Sequence, residues 1–193
     1  MLTQNEKKVL RMILTSFDTD YSINNIANEC KLSPNGAYKI LIKFEKEGVL
    51  IPKKISNLKS YKLNFQNDKT LSVLELALIN DLEKKIENRA EDLKNIRNIT
   101  KSCIFFGSYI SKNDPNDLDI LFILDKSSYK EYSNEIKKAK EIIPIKVHDV
   151  VQTVEDIKQN IIKKDKIIIN ILRIGTIVWG QNAIIQVIKD VYR

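Results

Sequence analysis

A mixed α+β fold is what this sequence predicts, and three observations predict it. Residues 1–48 place their apolar side chains at spacings of three and four, the period of amphipathic helices, in three short blocks. Residues 49–63 switch to two short apolar runs around a lysine-rich stretch, the pattern of a hairpin. From residue 100 onward, apolar runs of strand length alternate with amphipathic helices, which predicts a small mixed sheet with helices against it. The boundaries expected are 1–66 for the first domain, 67–99 for a connecting helix and 100–193 for the α/β domain.

The elements follow in order. Val9, Leu10, Ile13, Leu14 and Phe17 form the stripe of a first helix over 5–17, and Asp18-Thr19-Asp20 breaks it. Ser22 is an N-cap ahead of Ile23, Ile26 and Ala27, and Lys31-Leu32 makes a tight connection. Ser33-Pro34 pairs a capping hydroxyl with a first-turn proline, and Ala37, Leu41 and Phe44 run at i, i+4 and i+7 until Gly48. Val49-Leu50-Ile51 and Ser60-Tyr61-Lys62-Leu63 flank the basic tip 53–59. Thr70 is expected to cap one long helix carrying Leu71, Leu74, Leu78, Leu82, Ile86 and Leu93, heavily charged from Asp81 on. At some 25 residues it would span roughly 38 Å. Beyond it come a strand at Cys103–Phe106, a Gly107-Ser108 turn, and a strand opened by Asp117-Leu118-Asp119. A helix begins at Ser127-Ser128, and Pro144 precedes a strand that holds Asp149. Thr153 caps a helix with Glu155 and Asp156 in its first turn, where they complement the helix dipole. Ile161, Ile162, Ile167, Ile168, Ile171 and Leu172 read as core, and Trp179 as core before pocket.

Composition narrows the classes. The chain has 193 residues, 43% hydrophobic and 30% charged, which is globular composition and not that of a disordered chain. No run approaches 18 uncharged apolar residues and no basic-then-apolar leader opens the sequence, so a soluble cytoplasmic protein with no membrane partner is expected. Cys30 and Cys103 stand far apart in apolar contexts and read as reduced, buried thiols. The single histidine, His148, reads as a packed or surface residue, with a role at the edge of an active site left open by its neighbour Asp149. Net charge is +7, and residues 1–66 hold eleven Lys/Arg against six Asp/Glu, a bias suited to a polyanionic partner.

Chemistry concentrates in Gly107-Ser108 and Asp117-Leu118-Asp119. Strand side chains alternate faces, so Asp117 and Asp119 project to one side. Two carboxylates so placed repel, and a divalent cation is the natural relief; Mg²⁺ takes a carboxylate or two together with phosphate oxygens. Strand, Gly-Ser turn, polar loop, Asp-x-Asp and strand, in that order, resemble the signature of DNA polymerase beta-like nucleotidyltransferases, and in particular the minimal nucleotidyltransferases. The resemblance covers roughly residues 100–180 and departs at Tyr109-Ile110-Ser111-Lys112, where a small-basic-Gly continuation is usual. It implies that Gly107 and Ser108 contact the phosphates of a nucleoside triphosphate, ATP by preference. Asp117 and Asp119 then hold two Mg²⁺ or Mn²⁺ ions, and Asp149 supplies a third carboxylate as ligand or base. It further implies an acceptor such as a HEPN-type toxin protein, with the transferase as antitoxin; small-molecule or RNA acceptors are lesser alternatives.

The first domain resembles the winged helix-turn-helix of MarR-type regulators, on Ser33–Lys39, on Leu41, Phe44 and Gly48-Val49-Leu50, and on the hairpin. The resemblance implies that Asn35, Tyr38, Lys39 and Lys43 enter the major groove of duplex DNA. Lys53, Lys54 and Lys59 would then touch flanking phosphates, and a homodimer would span two half-sites. The alternative for the whole chain is a DNA-binding transcription regulator whose nucleotidyltransferase domain senses nucleotide or is inactive.

Overall fold

Helix α1 (Gln4–Leu14) starts where Thr3 can act as a cap: its hydroxyl accepts from the Glu6 N–H at 3.2 Å while the Glu6 carboxylate accepts from the Thr3 N–H at 2.7 Å. The computed structural model describes residues 1–17, 19–55, 58–79, 82–112 and 114–192. The expected breaker Asp18, the hairpin tip Ser56-Asn57, and Asp81 lie outside them. The chain divides into two compact units, Met1–Ile79 with Ile188–Arg193, and Asn80–Val187. The class is α+β, as expected.

In the first unit α1 is followed by α2 (Ile23–Cys30) and α3 (Pro34–Lys46), each begun by the serine that the sequence marks. Ser22 accepts from the Asn25 N–H and Ser33 from the Gly36 N–H, both at 3.1 Å. Helix α1 ends earlier than its apolar spacing suggests. The Thr15 and Ser16 hydroxyls donate to the carbonyls of Arg11 and Ile13, and Phe17 turns to φ 42° with its ring still buried. Val9, Leu10, Ile26, Ala27, Ala37, Leu41 and Phe44 are all shielded from solvent and form the core of this unit. Truncating Phe44 to Ala there costs about 3–5 kcal/mol. Gly48 at φ +74° turns the chain into the antiparallel pair β1 (Leu50–Ile55) and β2 (Leu58–Leu63), in a register from Leu50↔Leu63 to Ile55↔Leu58. Lys53, Lys54 and Lys59 thus belong to the strands themselves.

The stretch 67–99 is not one helix. It forms α4 (Asp68–Leu78), α5 (Lys84–Asp92) and α6 (Lys94–Arg97). The cap of α4 is Asn67, whose side chain accepts from the Lys69 N–H at 3.0 Å; Thr70 lies buried inside the first turn and donates to Asn64 O at 2.6 Å. After Leu78 the chain extends at Ile79 (φ −73°, ψ 120°), and Glu83 precedes α5 in an extended conformation. Asn and Asp, the residues at 80 and 81, bond readily to nearby backbone and disfavour helix interiors. The apolar stripe also changes its partner. Leu74 and Leu78 are buried in the first unit, where α4 packs on α1, whereas Ile86, Leu93 and Ile96 belong to the core of the second.

The second unit carries β3 (Ser102–Phe106), the single turn α7 (Ser108–Ser111), β4 (Asp117–Ile123) and α8 (Tyr129–Ile142). It continues through β5 (Lys146–Gln152), α9 (Val154–Ile162), α10 (Lys166–Ile174) and β6 (Thr176–Trp179) into α11 (Gln181–Val191), whose last residues fall in the first unit. The sheet order is β5-β4-β3-β6, with β4 and β5 parallel and the other pairs antiparallel, so the sheet is mixed as expected. Phe105, Phe122, Tyr132 and Trp179 dominate the core beneath it. Trp179 donates its indole N–H to Thr100 Oγ1 at 3.1 Å and is a core residue, not a pocket wall. Thr153 caps α9 in a capping box with Asp156. Cys30 and Cys103 are buried and unpaired; burial pushes the Cys30 thiol to about 11 and raises that of Cys103 well above its ordinary value, so neither offers a thiolate. Among the described residues no helix is long and apolar enough to cross a membrane.

Candidate functional site

The end of β3 and the start of β4 are neighbours because the two strands pair antiparallel, Phe106 opposite Asp119. The turn after Phe106 must therefore pass over Asp119. Gly107 does so at φ +70°, ψ −145°, and a Cβ at this position would lie 2.2 Å from Asp119 Oδ2. Both the conformation and the space demand glycine. Ser108 then opens α7 and donates its hydroxyl to Asp117 Oδ1 at 2.7 Å. The Gly-Ser pair and the Asp-x-Asp pair, ten residues apart in sequence, form one structure.

Asp117 and Asp119 are both partly open to solvent, with 36% and 24% of their side chains exposed, which leaves their oxygens accessible to a ligand. Together with Ser108, Lys112, Asp114, Pro115 and Asn116 they line a cleft of about 270 Å³. That is below the size of pockets that enclose a whole drug-sized molecule. Lys112, one turn after Ser108, brings a positive charge to this lining. Tyr109, by contrast, is a core residue, buried edge-on to Phe105 with its hydroxyl on Lys85 O.

Asp149, expected as the third carboxylate, is not in this group. β5 runs parallel to β4 with Asp119 beside His148 and Ile120 beside Asp149. Side chains alternate, so His148 shares the face of Asp119 and Asp149 shares that of Ile120. There it accepts from Tyr132 Oη at 2.6 Å and forms a salt bridge with Lys140. Burial opposes its charge, but the hydrogen bonds from Lys140 and Tyr132 outweigh burial and hold its carboxyl below the usual carboxylate range. Burial first, then the bond to Asp149, raises the Tyr132 hydroxyl far above its ordinary value. Asp149 is a structural anion locked against α8. In its place His148 presents Nδ1 to Asp119 Oδ1 at 3.2 Å and to Asp117 Oδ2 at 3.8 Å. One donor atom from each of these three residues lies within 4.8 Å of the others, a spacing able to hold a metal ion. A sequence signal for this exchange existed: Val147 and Val151 share the phase of Asp149, and both pack on the core of this unit.

In the first unit Asn35, Tyr38 and Lys39 are exposed on α3. Lys43 is turned to the unit's own acids, with Nζ 2.7 Å from Glu6 Oε1 and 3.9 Å from Glu47 Oε1. Lys53 pairs with Asp20 at 2.9 Å and Lys59 with Glu45 at 3.0 Å, the latter also over the Tyr61 ring. Among the described residues Lys39 and Lys54 have no carboxylate within 4 Å. Lys46 joins Lys39 and Lys43 around a shallow hollow on α3, a cation missed in the sequence although 39, 43 and 46 share one helical face. No family model, curated protein or solved structure matches this chain.

Proposed function

We propose that the chain is a metal-dependent nucleotidyltransferase that moves an NMP group from a nucleoside triphosphate, by preference ATP, to an acceptor, and that its first unit is a winged helix that binds duplex DNA. The observation that carries this reading is the fit of Gly107 and Ser108 against Asp119 and Asp117, a turn and an acidic pair built as one site. Asp117 and Asp119 would hold the divalent cation, Mg²⁺ or Mn²⁺. When bound, such an ion neutralises charge on the transferring phosphoryl group and activates the acceptor hydroxyl. The chain's own part is positional. Ser108 fixes the Asp117 carboxylate through its hydroxyl, Gly107 lets the backbone close over Asp119, and Lys112 adds a positive charge at the cleft where phosphates would lie. Asp149 has no part in it, being spent on Lys140 and Tyr132.

For the first unit the supporting observations are three capped helices followed by a hairpin, the exposure of Asn35, Tyr38 and Lys39, and the lysine row 39, 43, 46. A partner protein such as a HEPN-type toxin is the proposed acceptor, and a homodimer the proposed assembly on DNA. A second reading, a regulator that senses nucleotide without transferring it, draws on Tyr109-Ile110-Ser111, which carries no basic residue where a small-basic-Gly continuation is usual. Incubation with labelled ATP, Mg²⁺ or Mn²⁺ and candidate acceptors separates the two. Label transfer supports the enzyme; thermal stabilisation by ATP with metal but no transfer to any acceptor supports the sensor; neither response sinks both.

A further inference from the structure

Of the four oxygens of Asp117 and Asp119, two already have neighbours. Asp117 Oδ1 accepts from Ser108, and Asp119 Oδ2 lies against the backbone at Gly107. The other two, Asp117 Oδ2 and Asp119 Oδ1, face Nδ1 of His148 at 3.8 and 3.2 Å. Around an ion with bonds of about 2.1 Å, neighbouring donors stand about 3 Å apart in an octahedron and about 3.4 Å apart in a tetrahedron. The observed separations bracket the tetrahedral value and lie above the octahedral one. The placement is a product of strand register, Asp119 beside His148 across parallel β4 and β5, and it leaves 45% of the imidazole exposed, so the remaining positions around an ion would be open to a substrate.

We infer that His148 is a direct ligand through Nδ1, which makes this a two-carboxylate, one-imidazole centre that selects a divalent transition-metal ion over Mg²⁺. The inference rests on the metal-dependent reading above and specifies its ion. Mg²⁺ is hard, surrenders its water reluctantly and favours oxygen, whereas ions from Mn²⁺ onward in the Irving–Williams order gain increasingly from an imidazole nitrogen. A wholly carboxylate centre offers no such gain. The competing role for His148 is that of an imidazolium that neutralises Asp119 in place of a cation. The two roles predict opposite signs: removing a ligand weakens metal binding, and removing a competing cation strengthens it.

The test uses the full chain and Mn²⁺ alone, without nucleotide. Pulsed EPR of the wild-type complex should show the ¹⁴N modulation of directly bound imidazole, and His148→Ala and His148→Asp should lose it. In calorimetric titrations at fixed pH, His148→Ala should weaken Mn²⁺ by about tenfold or more. His148→Asp should regain Mg²⁺ binding and reduce the preference for Mn²⁺ over Mg²⁺ by about tenfold. Wild-type Mn²⁺ binding that Asp119→Asn abolishes, but with no ¹⁴N modulation or with tighter binding in His148→Ala, would overturn the role of His148 and leave the metal site standing. A wild-type chain that binds no Mn²⁺ overturns both. The wild-type spectrum decides the matter even where a variant fails to fold.

Discussion

The two faces of the four-stranded sheet treat carboxylates in opposite ways. On one, Asp117 and Asp119 stand together with the His148 imidazole and the Ser108 hydroxyl beside them, partly open to solvent. On the other, one strand away, Asp149 is held by a lysine and a tyrosine. The second arrangement is complete within the chain; the first gathers like charge and becomes complete only with something added. An acidic residue at the right place in the sequence is therefore no guide to its work until its face of the sheet is known, and satisfaction by the chain's own groups is what separates a brace from a site.

Breaking the first face should have the largest effect. Asp119→Asn or Asp117→Asn should abolish label transfer, and losing both should be no worse than losing one, since they serve the same ion. The upward thermal shift from metal plus ATP, about 2.7 kcal/mol when ligand is a hundredfold above its Kd, should disappear with it. The metal-free fold should hold or gain slightly, because one member of a repelling pair has gone. Labelled-ATP assays read the first, and differential scanning fluorimetry with and without Mn²⁺ and ATP reads the other two. Gly107→Ala should come next. Its Cβ must displace Asp119 or abandon φ +70°, a strain on the order of 1–3 kcal/mol, and transfer should fall with stability. If Gly107→Ala retains full transfer, the fit of turn to acidic pair has no functional weight.

Asp149→Asn sharpens the contrast by failing differently. It should cost about 1.5–3 kcal/mol of stability through weakened charge-assisted bonds to Lys140 and Tyr132, yet leave transfer close to that of the wild type. The pH dependence carries a sign. The folded-state carboxyl titrates below its unfolded value, so its contribution is present above the ordinary carboxylate pKa and is lost as pH falls through the folded one. The wild type should lose stability relative to Asp149→Asn below about pH 4, as urea titrations across that range would reveal. Loss of transfer in a folded Asp149→Asn protein would return Asp149 to the site.

Smallest are the effects on DNA binding, where pairing again decides. Lys39→Ala and Lys54→Ala should each lower the salt dependence of duplex binding by about 0.9 per phosphate contact. Lys43→Ala, Lys53→Ala and Lys59→Ala should each change it less, because Glu6, Asp20 and Glu45 already neutralise them. Glu6→Gln, which keeps a side chain able to complete the α1 capping box, should release Lys43 and steepen the slope. Fluorescence anisotropy over a salt series measures each; equal losses at all five lysines would show that the ion pairs open freely on DNA.

The sequence disclosed what is decided locally. Ser22, Ser33-Pro34 and Thr153 announced their helices because a cap acts within three residues, and Gly107-Ser108 with Asp117 and Asp119 announced the site because one antiparallel pairing closes it. What it hid is decided at a distance. Leu78 and Leu82 keep a four-residue spacing across the break between α4 and α5, and the change of core from one unit to the other separates them. His148 and Asp149 exchange roles on a shift of one residue in a parallel register, and the local signal for it, the apolar phase of Val147 and Val151, marks the core face without saying which acid the site needs. The ion pairs of Lys43, Lys53 and Lys59 reach across 37, 33 and 14 residues, too far for charge counting to find.

The last turn of α11 returns the chain to its first unit, where Ile188 is fully buried and the Tyr192 ring meets Phe65 edge-on at 5.3 Å. That unit is thus sewn from two distant lengths of polypeptide. During synthesis its helices and hairpin emerge long before their closing residues, and the whole second unit is made in between. An early segment that waits for a late one stays incomplete until residues 188–192 are made, so a chain cut before them would leave the first unit without its seal. Excising residues 1–79 as a separate fragment would reproduce that unfinished state.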